Sequence, residues 1–293
     1  TKNYYQYDKH IKKKVQKEVS LLDENKIPIP SLDDLGKYNE SAKNFLVETD
    51  DLRLIPTITI PEIKEYHKKG VSTLTEFNKL EVKDDRDNKL KTMLQARKEQ
   101  KVIVLDHDQN DPKGLNELPT FNSNLDVFFK VFKSENLDKE PFLYLYKIGF
   151  YENDELIEKT IYAYSKKNEE YALKQSIDFI KDRVLKGGSI YFYGEDTYIN
   201  LLETASFYDT YLQFITDNFF RNKFIDLKLI LEQSLALPTD SYSLKNVIEL
   251  FEGKIEDEAI GSVFSLYLHG RQEKRDLMGK RLEELSKREL ESI

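Results

Sequence analysis

Three strongly apolar runs follow one another between residues 125 and 164: LDVFFKVF, PFLYLYKIGFY and LIEKTIYAY. Each is rich in aromatic and β-branched residues, and short polar stretches separate them, so they read as an antiparallel meander. Side chains on a strand alternate between its two faces. In the first run Leu125, Val127, Phe129 and Val131 share one face, and Phe128, Lys130 and Phe132 share the other. A strand apolar on both faces belongs in a sheet covered on both sides. Lys130 is the exception, because burying an unpaired ammonium costs several kcal/mol. Either it snorkels to the rim or it meets a carboxylate.

The segments beyond the meander fix the fold class. NEEYALKQSIDFIKDRVLKGG predicts an amphipathic helix ended by glycines, with Tyr171, Ile177, Ile180 and Val184 on its apolar side. SIYFYG reads as a fourth strand that leads into a helix from Glu195 or Asp196. KFIDLKLIL is a fifth strand or the start of a helix, and SYSLKNVIELF starts a helix with Leu244, Val247, Ile248 and Phe251 inward. QEKRDLMGKRLEELSKRELESI is a charged terminal helix. Three strands, a helix, a parallel strand, a helix and a further strand give an α/β fold: a ribonuclease H-like mixed sheet flanked by helices, over residues 119–293.

Residues 1–118 read as a mostly helical region. Tyr4, Tyr7, Ile11, Val15, Val19 and Leu22 fall at helical steps, and Pro28 and Pro30 in IPIPSLDDLG stop that helix. A second helical stretch covers 39–47. Farther on, Pro61 suits the first turn of a helix, Gly70 its left-handed end, and Ser72 or Thr73 the cap of a short helix through Phe77. Such a helical hairpin can hold a nucleic-acid backbone through a Gly-rich turn. Here the preceding turn is Thr57-Ile58-Thr59, without glycine, so packing of two short helices is the better reading. A charged helix follows over 81–101, with Leu90, Met93, Leu94 and Arg97 on related turns, and KVIVLD is a short strand. Asp106, His107, Asp108 and Asp111 fit no calcium loop, because Pro112 stands where glycine is needed. A solvated acidic loop is expected there.

Composition closes off several classes. With 39% hydrophobic residues, 17 Phe and 18 Tyr among 293, the chain can fill a sizeable core. No run approaches the roughly 18 apolar residues of a membrane span, and no signal-peptide pattern opens the chain. No cysteine is present, which removes disulfides, thiolate zinc sites and cysteine-held iron–sulfur clusters. A cytoplasmic setting is the expectation. The net charge of −8 argues against a protein that coats nucleic acid, while 45 Lys and Arg leave room for a local basic groove. Thr1 at the start reads as a fragment of a longer protein, with processing or tag removal as the alternative.

VFFKVF, YLYKIGFY, IYFYGEDTY, FIDLKLIL and DSYSLKNVIELF together resemble the ribonuclease H-like exonuclease domain of YprB-like and RecB-family nuclease-like proteins. DDLRLIPTITIPEIKEYHKKGVSTLTEF and KLKTMLQARKEQKVIVLD resemble the helical linker of those two-part proteins, and YYQYDKHIKKKV resembles the last helix of the upstream nuclease domain. SYSLK is the most specific piece. The resemblance implies two-metal phosphodiester cleavage, in which four carboxylates hold two divalent ions about 4 Å apart. It places an Asp and a Glu on the first strand, where this chain has Lys130 and Phe132. After the fourth strand it implies His-Tyr-Gly and then a Glu. Here the run is Phe192-Tyr193-Gly194 and the Glu position is Thr197, with Glu195 and Asp196 displaced. Asp226 matches the third acid, and the last would lie beyond the terminal helix, past Ile293.

One of four expected ligands is therefore in place, and an ammonium stands where dications would sit. Asp126 could help only by leaving its own face. The expectation is a catalytically degenerate nuclease-like protein, a pseudoenzyme of nucleic-acid metabolism without cofactor, acting by binding DNA or RNA or by positioning a protein partner. Lys130, Tyr193 and Lys245 are the candidate nucleic-acid contacts and Asp226 the catalytic remnant. Lys130 is expected to pair with Asp226, or else to snorkel. Two other readings stay open: an active exonuclease that binds Mg or Mn through a site rebuilt from Asp226, Glu195 and Asp196, and a structural protein-interaction module.

Overall fold

The computed structural model describes residues 39–82, 84–105, 114–134, 141–252 and residues 280, 281, 283, 284 and 287. The expected helix over 4–22, the prolines after it, the acidic loop of Asp106 to Pro112 and most of the terminal helix lie outside the described residues. The described residues form two compact units: 39–54 with 58–81, and 55–57 with those from 82 onward. The stretch 82–118, its described part, falls in the second.

The first unit contains α1 (Asn39–Glu48), a 3-10 turn at Leu52–Leu54, α2 (Ile60–Lys68) and α3 (Leu74–Lys79). Both hairpin helices start with a capping box. Thr59 accepts from the Glu62 amide while the Glu62 carboxylate accepts from the Thr59 amide, and Thr73 with Glu76 repeats the pattern. Thr73, of the two candidates, is thus the cap. Pro61 sits in the first turn of α2, and Gly70 beyond its end takes φ 79°, where a side chain would be strained. Leu46, Leu52, Ile63, Tyr66 and Phe77 are buried, with the Tyr66 and Phe77 rings edge to face at 5.1 Å.

The second unit opens with α4 (Asp85–Glu99), capped by Asp84, and β1 (Ile103–Val104). Then come β2 (Val127–Lys133), β3 (Leu143–Glu152) and β4 (Glu155–Tyr162), the expected meander, with neighbouring strands antiparallel. Helix α5 (Lys166–Leu185) crosses to β5 (Ile190–Phe192); α6 (Glu195–Phe207) and α7 (Leu212–Phe220) lead to β6 (Phe224–Asp226). Helix α8 (Leu227–Ser234) follows at once, then β7 (Leu235–Ala236), which pairs with β1, and α9 (Leu244–Glu252). KFIDLKLIL is accordingly both strand and helix, and the chain changes from one to the other at Asp226.

The main sheet is mixed, in the order β4-β3-β2-β5-β6, with β5 parallel to β2 and β6 parallel to β5. Val127, Phe129 and Val131 lie in one core with Ile148, Ile177, Ile180 and Leu201, which α5 and α6 supply from one side. On the other side Tyr191 and Ile225 pack with Phe128 under Leu118 and Leu227. Residues 143–150 of β3 are all buried, as a strand covered on both faces requires. Two expected inward residues point outward: Tyr171 is 65% exposed and Phe251 64%. Both lie on helices whose buried stripe is narrower than the run of apolar letters, and α5 seats Leu173, Ile177 and Ile180 instead.

Candidate functional site

Clefts in open α/β sheets form outside the carboxyl ends of parallel strands. Here that edge is made by Tyr193 and Gly194 after β5 and by Asp226 at the end of β6. Gly194 takes φ 81°, which turns the chain into α6 and aims its amide at β6. Asp226 Oδ1 accepts that amide at 2.8 Å and the Lys228 amide at 2.9 Å, so the carboxylate caps α8 and ties it to the end of β5. Burial raises the Asp226 pKa above its ordinary value, against the lowering effect of those amides and of Lys228.

A second acid shares this region. Glu232, one turn and a half along α8, is also raised, first by burial and in part by Asp226, while Lys228, Lys89 and Arg86 pull it down. Lys228 Nζ lies 3.8 Å from Glu232 Oε1. Tyr193 is buried, its hydroxyl donating to the Tyr242 carbonyl at 2.8 Å and held well above the usual phenol value by burial and then by Glu232 and Asp226. Tyr242, pushed up to about 12 chiefly by burial, donates to the Leu235 carbonyl at 2.6 Å. Tyrosines and carboxylates thus fill the cleft floor as a hydrogen-bonded plug.

The SYSLK run is the approach to α9. Ser243 Oγ accepts the Asn246 amide at 3.2 Å, Asn246 Nδ2 donates to Ser241 Oγ at 2.9 Å, and Arg97 pairs with Asp240. Lys245 follows in the first turn of α9, half-buried. Glu195 and Asp196 are exposed in the first turn of α6, and Thr197 is buried. Among the described residues no three His, Cys, Asp or Glu side chains lie close enough to hold a metal ion, so Glu195, Asp196 and Asp226 do not make a shared ligand set.

Lys130 stands in β2 directly opposite Lys147 in β3, its ammonium 5.8 Å from the Phe132 ring. The expected Lys130–Asp226 ion pair is not made. Alternation explains it: Phe224 joins the α5 and α6 core and Ile225 the opposite one, so Asp226, next in step, is on the other face from Lys130 and its neighbour Phe128. The deeply buried lysine is Lys147, 2% exposed, and its partner is Glu158 of β4, with 2.9 Å between Nζ and Oε2. Sequence reading missed this pair, although YLYKIGFY carries the same signal as the first run, a lysine inside a strand apolar on both faces.

Asp126 is also committed elsewhere. It is 2% exposed, and its two oxygens accept the Ser189 amide at 2.8 Å and the Asn122 amide at 2.7 Å, which fastens the start of β2 to the start of β5. Tyr191 nearby is pushed up to about 12 by burial and by Asp126. No protein-family model, no curated protein and no solved structure matches this chain.

Proposed function

We propose that the sheet unit is a ribonuclease H-like module whose metal site has been dismantled and which acts in nucleic-acid metabolism by binding rather than by cleavage. The strand order, with an antiparallel meander on one side of β2 and parallel β5 and β6 on the other, supports the fold reading. One observation carries the functional reading: Lys130, at a position where the fold's acid pair is expected, faces Lys147 across the β2–β3 ladder. Two ammonium groups there repel dications, and Phe132 offers no lone pair. The remaining acid, Asp226, already serves as a helix cap.

The test is a paired assay on the full chain. Single- and double-stranded DNA and RNA are incubated with Mg or Mn, and binding of single-stranded oligonucleotides is followed over a salt series. Absence of cleavage together with binding that weakens as salt rises is the expected result. Metal-dependent cleavage that Asp226→Asn abolishes overturns the silent reading. Absence of binding at low salt overturns the nucleic-acid reading and leaves protein scaffolding.

A further inference from the structure

The sheet face opposite α5 and α6 carries an aromatic patch at the N-terminal end of β2. Phe121, in the loop before that strand, is 47% exposed and lies 6.1 Å from Phe128, 6.0 Å from Tyr151 and 6.1 Å from Tyr191, ring centre to ring centre. Tyr151 is paired across the β3–β4 ladder with Leu156, which is 36% exposed, so the apolar surface continues onto the edge strand β4. Aromatic rings that keep one side in water while packing on other rings are the usual anchors of protein interfaces.

The rim at this end is acidic. Glu152 and Glu155 face each other across the last rung of the hairpin, and Asp154 lies between them with φ 65°. All three are exposed, and none has an ion pair among the described residues. Like charges directly opposite each other destabilise a ladder, so the fold keeps an arrangement that a cationic partner relieves. Two residues beyond Leu156, on the same face of β4, Glu158 has Lys287 Nζ within 3.9 Å as well as Lys147, so this face already seats cations.

We infer that this patch docks a basic, apolar segment of a partner protein. Aliphatic or aromatic side chains of the segment cover Phe121, Tyr151 and Leu156, and its Lys or Arg residues meet Glu152, Asp154 and Glu155. A nucleic-acid strand is disfavoured here, because its phosphates would face those three carboxylates. The inference does not rest on the ribonuclease H-like reading.

The probe is a fluorescein-labelled peptide of alternating Lys and Leu, followed by anisotropy, beside its Glu-for-Lys counterpart and a labelled thymidine oligonucleotide. The expected result is that the Lys peptide binds and the Glu peptide does not, with affinity falling at least tenfold for Phe121→Ser and for the Glu152→Lys/Glu155→Lys pair. A charge-matched pair in the other unit, Glu65→Lys/Glu81→Lys, should leave affinity within twofold. Equal losses in both charge-reversed pairs, or no loss with Phe121→Ser, would mean diffuse attraction to an acidic chain and overturn the inference. Oligonucleotide binding that Phe121→Ser weakens would overturn it in favour of base stacking. Circular dichroism of each variant confirms that the fold is intact.

Discussion

Lys147 and Glu158 form an ion pair across the β3–β4 ladder, with the lysine side chain 3% exposed and the carboxylate 15%. The pair sits beside the β2–β3 ladder, where Lys130 stands opposite Lys147, so Glu158 neutralises charge that the sheet would otherwise concentrate. Breaking one partner of a buried pair costs far more than replacing both with apolar residues. Glu158→Gln is therefore expected to destabilise the sheet unit by about 3 kcal/mol, and Lys147→Met by less. The double variant Lys147→Met/Glu158→Leu should recover most of the loss. Urea unfolding of the three variants checks this, and a double variant no better than Glu158→Gln would refute it.

Asp126 holds two backbone amides in a buried place. Its replacement by Ala leaves the Ser189 and Asn122 amides unsatisfied, an expected cost of about 2–4 kcal/mol. Asp126→Asn, which keeps one good acceptor, should lose about half as much. Hydrogen exchange at Ser189 should speed up in both variants. Protection unchanged in Asp126→Ala would show that the amide is held by something else.

Asp226 and Glu232 give the unit a pH dependence whose sign follows from burial. Both carboxyls are raised in the folded chain. Between their ordinary values near 4 and their raised folded values the folded state binds more protons than the unfolded one. Their contribution is thus fully present below the ordinary values and is lost as pH rises through the folded ones. Asp226→Asn keeps a good helix cap but cannot ionise. Relative to this variant, the wild type should lose stability from pH 4 to pH 7. A difference that stays level, or grows in the opposite direction, would contradict the raised value.

Tyr146 is fully buried, and its hydroxyl has no hydrogen-bond partner among the described residues. Burial raises this phenol far above its usual range, with Glu169 and Tyr208 adding to the effect. Removing an unsatisfied buried hydroxyl is neutral or favourable. Tyr146→Phe should therefore match the wild type or gain up to about 1 kcal/mol in thermal or urea unfolding. A loss larger than that would reveal a bound water on the hydroxyl.

Gly188 marks a tight approach. A Cβ there would lie 2.5 Å from the Leu125 carbonyl oxygen, and the neighbour is backbone rather than a flexible side chain. Gly188→Ala should cost about 1–3 kcal/mol and shift the β2–β5 pairing, visible as lost amide protection at Val127, which donates to the Ser189 carbonyl. Gly70→Ala, at an open position but with φ 79°, should cost about 1 kcal/mol from backbone strain alone.

Local chemistry along the chain was enough to mark the elements. Period-two alternation outlines β2 to β4, the glycine pair ends α5, and Pro61, Gly70 and Thr73 bound the hairpin helices, because turn, cap and alternation preferences act over a few neighbouring residues. Which charges meet was settled by the folded arrangement instead. Lys130 and Lys147 look alike in sequence, each a lysine in a strand apolar on both sides, yet Glu158 lies within reach of one and Asp226 is turned away from the other. Glu232 carried no local signal at all, since its environment comes from burial and from Asp226, Lys89 and Arg86. Partners far apart in the chain are fixed by strand register and by the face each side chain takes, and a one-residue step reverses that face.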